Sequence, residues 1–288
     1  SYIRYCKFML MTIKEIISVL EKMAPLAYQE SYDNAGLITG NAQMDCTGIL
    51  CTLDITEAIL QEAIQKNCNL IVAHHPIVFG GLKQFTGGDY VQRALIKAIR
   101  NNIAIYACHT NLDNVLRGGV NERIAQQLGF EAERVLRPVA ADFGSFAGVG
   151  RLGDSDVFRT AGAGVLCNLQ KPMNVLDFLQ HVKAKMGVEV VKYTKCDVEM
   201  VSKVAICGGA GSFLIGDALR AGADAFITSD VKYHEFFDAE GKMLLCDIGH
   251  YESEKYTIDL FSNILSAKFP KFATIFAGTI TNPIDYLT

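Results

Sequence analysis

The feature that most constrains this chain is a regular alternation, over its first third, of short apolar runs with helical patterns. Gly48–Leu53 reads as a strand, Thr56–Lys66 as a helix, Leu70–Ala73 as a strand, Tyr90–Asn101 as a helix and Ile103–Ala107 as a strand. Apolar runs this short have no alternating polar face, so they need cover on both sides, which is the pattern of parallel strands joined by crossover helices. The spacing therefore predicts α/β architecture. Upstream, Ile13, Ile16, Ile17 and Leu20 recur at helical spacing behind Thr12, and Glu15 supplies the second half of a capping box. An amphipathic helix is expected to open the fold. Ser1–Leu10, aromatic and mildly basic, precede Met11 and lack the cleavage pattern of a secretory signal. They are set aside as an extension.

Composition narrows the function classes. With 50% hydrophobic and 20% charged residues, the 288-residue chain can bury a sizeable core and falls between one large domain and two small ones. A net charge of −4 gives no general footprint for a phosphate backbone, so nucleic acid is not the expected partner. No apolar run approaches the roughly 20 residues that span a bilayer, and a membrane partner is not expected either. Nine cysteines without CxxC pairs, sitting in runs such as Ile49–Cys51 and Val204–Cys207, read as buried thiols of a reducing compartment. A cytoplasmic location follows.

The stretch 129–163 changes character, with glycines, aspartates and short alternating segments such as Phe146–Arg151. A second lobe is expected to begin here, giving residues 11–128 with 246–288 as one α/β lobe and 129–245 as the other. A helix is predicted over Asn174–Met186 and strands over Val188–Tyr193 and Lys203–Cys207. Gly48–His75 aligns without a gap on Lys203–Asp230 in the order strand, polar loop, helix, tight turn, strand, polar groups. With few identities, this reads either as an internal duplication or as the common look of any two βαβ units.

The run Leu70–Ala73 ends abruptly in His74-His75-Pro76. Ligands of open α/β sheets sit outside the carboxyl ends of strands, and adjacent residues diverge in direction, so two imidazoles here could reach two metal ions. Pro76 keeps His75 extended. The next strand ends in His109-Thr110-Asn111-Leu112-Asp113. Asp113 is the natural ligand, since one carboxylate can bridge two cations, while His109 is either a ligand or a partner that orients one. Turn chemistry alone would also explain Asn111 and Asp113. Near the C-terminus, His250 and Glu254 are four apart and share a face if a helix begins there. Acidic residues also suit a helix start, which explains Glu252 better than ligation does. Three junctions ending in His with a carboxylate nearby suit zinc, manganese or iron at a hydrolytic site. Gly208–Ser212 is either a tight turn or a phosphate cradle, and it lacks the GK[ST] ending of a Walker loop. Asp230 and His234 are candidates for proton transfer, or an ordinary helix cap.

In order and combination, Tyr32-Asp33-Asn34-Ala35-Gly36-Leu37, Ala73–Pro76, His109–Asp113, Ser229–His234 and Gly249–Glu254 resemble the Nif-three-like dinuclear metal proteins, whose bacterial members are commonly called GTP cyclohydrolase I type 2 homologues. The resemblance runs from Met11 to Thr288. It implies two related α/β lobes with mixed, largely parallel sheets, the second lobe inserted in the first, and assembly as a ring-shaped homohexamer. It also implies two divalent metal ions per subunit on His74, His75, Asp113, His250 and Glu254, and hydrolysis of a nucleotide, such as GTP, or a related small molecule. The alternative is a metal-binding regulatory or interaction protein without turnover. Tyr32 stands where the family usually has Trp, and the chain is too short for the extra domain of longer bacterial members.

Overall fold

The computed structural model describes residues 11–139, 161–270 and 272–287. The extension Ser1–Leu10, Cys6 and the segment Phe146–Arg151 lie outside them. Helices α1 (Ile13–Met23), α2 (Glu57–Gln65), α3 (Tyr90–Arg100), α4 (Thr110–Asp113), α5 (Val120–Leu128), α6 (Val175–Met186), α7 (Ile215–Arg220), α8 (His250–Glu254) and α9 (Thr257–Lys268) follow in chain order. Strands are β1 (Gly36–Thr39), β2 (Ile49–Thr52), β3 (Leu70–Ala73), β4 (Ala104–Ala107), β5 (Glu131–Pro138), β6 (Gly162–Asn174), β7 (Lys192–Tyr193), β8 (Met200–Ala210), β9 (Ala225–Ser229), β10 (Leu244–Asp247) and β11 (Thr274–Phe276). Among the described residues no helix is long and apolar enough to cross a membrane.

The chain forms two compact units, each around one mixed sheet. The first comprises the segment up to Lys22 with Tyr32–His109 and Phe261–Thr281. Its five-stranded sheet runs β1-β4-β3-β2-β11, with β1 antiparallel to β4 and the other pairs parallel. Every residue of β2, β3 and β4 is buried, as the missing polar face in the sequence required. Ile59, Leu60 and Ala63 of α2 and Ala94, Leu95 and Ala98 of α3 share a core with Leu50, Ile71 and Ile105. The opening capping box is present: Thr12 N donates to Glu15 Oε2 (2.7 Å) and Glu15 N to Thr12 Oγ1 (3.3 Å). Thr56 and Asp89 cap α2 and α3 through Ile59 N and Gln92 N. Both helices then turn back into strands through an asparagine in the left-handed region, Asn67 (φ +53°) and Asn102 (φ +52°).

The second unit comprises Met23–Ser31, Thr110–Leu260 and Asn282 onward. Its six-stranded sheet runs β5-β6-β8-β9-β10-β7, parallel only across β8-β9-β10. Leu166, Ala205, Phe226 and Leu245 of the sheet pack with Ile215, Ala218 and Met243. The β2-α2-β3 and β8-α7-β9 units repeat the order read from Gly48–His75 and Lys203–Asp230, each with a parallel strand pair. The stretch 129–163, read as a change of character with short alternating segments, contains β5 and the start of β6, while the strand expected over Val188–Tyr193 is only the two residues of β7.

Candidate metal centre

In the first unit the sheet order sets out the polar groups in a row. β2, β3 and β4 are parallel and in register, Thr52 facing Ala73 and Ala73 facing Ala107. The residues just beyond their carboxyl ends, Asp54, His74-His75 and His109, therefore emerge at one edge. Antiparallel β1 starts at that edge, Gly36 facing Ala107, so Asp33 and Asn34 arrive there too. His74, His75 and His109 each offer a ring nitrogen within 4.8 Å of the others, a grouping that could hold a metal ion. Their ring centroids lie 4.9 to 5.4 Å apart.

Each of these rings is oriented through the same atom. His74 Nδ1 donates to the Cys108 carbonyl (2.9 Å), His75 Nδ1 to Asp54 Oδ1 (2.7 Å) and His109 Nδ1 to Asp33 Oδ1 (2.8 Å). A carbonyl or carboxylate oxygen can only accept, so the proton sits on Nδ1 and, in the neutral ring, Nε2 carries the lone pair. That is the tautomer a metal ligand needs. Burial pulls the Asp54 carboxyl up, but the hydrogen bond and charge of His75, the Thr281 hydroxyl and the charge of His74 outweigh it and hold the group below its ordinary value. Asp54 carried no expectation from sequence, although its position two residues beyond a buried strand was the available signal.

The second unit has a matching arrangement. Gly209 lies in the last two residues of parallel β8, and past the carboxyl ends of β9 and β10 come Asp230 and His250. His250 Nδ1 donates to Asp230 Oδ2 (2.6 Å), and Asp230 holds that position with φ +55°. Glu254, one turn along α8 and 2% exposed, brings Oε2 to 3.1 Å from His250 Nε2. With the proton on Nδ1, both of these atoms carry lone pairs. They face each other at about the 3.3 Å expected between neighbours of a tetrahedral shell with ~2.0 Å bonds, so a cation or a shared proton reconciles them. Burial pushes the Cys207 thiol up, and the charges of Asp113 and Glu254 add to it; these two carboxylates each offer an oxygen within 4.8 Å of the other. The donor set of imidazole Nε2 and carboxylate oxygen fits a divalent transition ion.

Other sequence readings resolve differently. Gly208 N donates to Asn121 Oδ1 (2.8 Å) and Gly209 N to Ser253 Oγ (3.0 Å), and a Cβ on Gly211 would lie 2.4 Å from Thr228 Oγ1. The glycines thus serve close packing, and the amides of Gly208 and Gly209 are committed to side chains. Glu252 is 7% exposed and accepts from Asn282 Nδ2 (3.0 Å), a structural role. His234 is exposed on the 3-10 turn Tyr233–Ala239, its ring against Tyr233 at 5.2 Å.

The sequence profile of the family described as Duf34/NIF3 (NGG1p interacting factor 3) matches residues 11–283. A protein of Clostridium perfringens named GTP cyclohydrolase 1 type 2 homolog is 35% identical over 245 residues, covering 85% of this chain and 87% of its own length. The crystal structure of a Bacillus cereus protein related to NIF3 superposes with a TM-score of 0.83 at 25% identity, covering 96% of this chain and 100% of that one. A hypothetical protein of Staphylococcus aureus gives a TM-score of 0.83 at 27% identity over 96% and 99% of the two chains. A family match over nearly the whole sequence, a relative above 30% identity and two solved folds of the same architecture agree, and the chain belongs to the Duf34/NIF3 family.

Proposed function

We propose that this protein is a dinuclear metal-dependent hydrolase that binds two divalent ions, zinc, manganese or iron, through His74, His75, Asp113, His250 and Glu254, and acts on a nucleotide or related small molecule. The observation that carries the reading is the uniform use of Nδ1: His74, His75 and His250 each donate through it to a fixed acceptor and keep Nε2 as the lone-pair nitrogen. A metal pair bound there supplies an activated water and a polarised bond. The chain's own residues supply the rest. Asp113 offers two oxygens on one carboxylate, Asp230 holds the proton on His250 Nδ1, and exposed His234 is the candidate for passing protons to solvent. The names of the relatives point to a GTP-like ring system as the first substrate to try. We assign the active form to a cytoplasmic homohexamer, which light scattering coupled to size exclusion tests; a monomer at micromolar concentration overturns the assembly.

One observation favours a second reading. The amides of Gly208 and Gly209 already donate to side chains, so two of the five amides considered as a phosphate seat over Gly208–Ser212 are taken. A metal-binding regulatory protein needs no such seat. Elemental analysis after mild purification, followed by turnover assays on GTP and a panel of nucleotides and phosphorylated small molecules, separates the two. About two ions per chain with metal-dependent turnover supports the hydrolase, and two ions with no turnover over the panel supports the regulatory reading. Metal content near zero, unchanged by added Zn²⁺ or Mn²⁺, overturns both.

A further inference from the structure

Two carboxylates of the first unit hold the stretch of chain that follows β11. Glu62 Oε1 accepts from Gly278 N (2.6 Å) and from Lys66 Nζ (2.6 Å), while its Oε2 accepts from Thr279 N (3.0 Å) and the Thr279 hydroxyl (2.7 Å). Two residues on, the Thr281 hydroxyl donates to Asp54 Oδ2 (2.6 Å), and the other oxygen of the same carboxylate is the one that takes His75 Nδ1 (2.7 Å). Asp54 thus holds an imidazole from the end of β3 with one oxygen and a hydroxyl 227 residues further along the chain with the other.

The terminal torsion of an aspartate is broad, so a single donor leaves the carboxylate plane free to swing. A second donor on the opposite oxygen defines that plane, and through it the ring that Asp54 orients. Glu62 makes the second donor dependable, because three hydrogen bonds from Gly278 N, Thr279 N and the Thr279 hydroxyl fix the chain immediately before Thr281. We propose that Thr281 is a positioning residue of the metal centre: its hydroxyl fixes the Asp54 carboxylate, which holds His75 with Nε2 as its metal-facing atom. The segment 278–281 is thereby part of the site. This rests on the reading that His75 takes a metal ion.

The test is the zinc affinity of the full-length protein, measured by competition with a chromophoric chelator, with the melting temperature recorded for every variant. Removing a direct partner of a ligating histidine weakens metal binding about 10- to 100-fold, and a group acting one bond further out has less effect. Thr281→Val is expected to weaken zinc binding roughly 3- to 10-fold, and Thr281→Ser, which keeps the hydroxyl, to restore it within about twofold. Asp54→Ala is expected to cost about 10- to 100-fold, and adding Thr281→Val to it should cost nothing more, since the hydroxyl acts only through that carboxylate. Should Thr281→Val not fold, Thr281→Ala gives the same comparison without placing a methyl against the carboxylate. A fall in melting temperature with unchanged zinc affinity overturns the proposal, as does an equal loss of affinity in the Asp54→Ala background. A wild type that takes up no zinc defeats the metal reading and this inference together; wild-type uptake with an unaltered Thr281→Val affinity defeats only the role of Thr281.

Discussion

Replacing Gly209 with alanine should separate the candidate centre from the fold that carries it. Gly209 has φ +61°, and a Cβ built there would lie 2.5 Å from Glu254 Oε1 and 3.3 Å from its carboxyl carbon. Ordinary contact begins near 3.5 Å, so the carboxylate must withdraw by roughly 1 Å. Glu254 is 2% exposed and faces His250 Nε2 at 3.1 Å, so a withdrawal of that size is expected to disturb this pairing. The backbone strain of an alanine in the left-handed region is about 1 kcal/mol, which lowers the melting temperature by roughly 2–4 °C in a chain of this size. Gly129→Ala is the matched control: φ is +78° and no atom lies within 4 Å of its Cβ, so it carries the same backbone strain and moves nothing. Displacing a ligand by this much should weaken metal binding about 10- to 100-fold, or ~1.4–2.7 kcal/mol. Both variants are equilibrated in chelator-buffered zinc and their metal content is measured at equal folded fraction. If Gly209→Ala retains metal as Gly129→Ala does, Glu254 is not a ligand and the reasoning fails.

Asp230→Asn should lower zinc affinity about tenfold by letting His250 turn, whereas His234→Ala should leave metal content unchanged and alter only turnover; equal affinity losses in both would refute the division of roles. Glu62 is held at a pKa of about 2, because the Lys66, Thr279 and Gly278 donors outweigh its burial. Since the folded value lies below the unfolded one, near 4.5, its stabilisation of roughly 2–3 kcal/mol is complete above that pH and is lost as pH falls toward 2. Glu62→Gln should therefore flatten the acid limb of a stability-against-pH curve, and an unchanged slope between pH 5 and about 2 would count against the clamp. Among the described cysteines only Cys196 is more than slightly exposed, while burial pushes the thiols of Cys46 and Cys167 up to about 12. A thiol reagent at neutral pH should reach Cys196 first of these, and rapid native labelling of Cys167 or Cys207, read by peptide mass mapping, would contradict the packing.

What was legible in the sequence is what depends on neighbours along the chain. The β3 strand and its two histidines declare themselves because four apolar residues stop at a polar pair and a proline, and α1 because Thr12 and Glu15 stand three apart at the head of an apolar stripe. β5 escaped because its burial does not alternate: a register shift lies between Ala132 and Arg134, and the strand buries Val135 and Leu136 in succession. β6 opens on glycines, Gly162 and Gly164, that read as loop. The partners of the histidines were harder still. Asp33 meets His109 across 76 residues and Asp54 meets Thr281 across 227, pairings that exist only once the strand order is known. Donor residue types could be read locally, but the orientation of each ring could not.

The hydrogen bonds on Nδ1 separate two events that coincide in many small metal proteins. His74, His75, His109 and His250 have their rings fixed by Cys108, Asp54, Asp33 and Asp230, acceptors that the fold supplies without any ion. The rotamer entropy of these side chains, on the order of 0.5–1.5 kcal/mol each, is therefore surrendered when the chain folds and not when a cation arrives. A protein built this way is not of the type that unravels with its metal. If the proposed metal centre holds, a chelator-treated sample is expected to keep the secondary structure of the loaded one, and far-ultraviolet circular dichroism before and after chelation checks this.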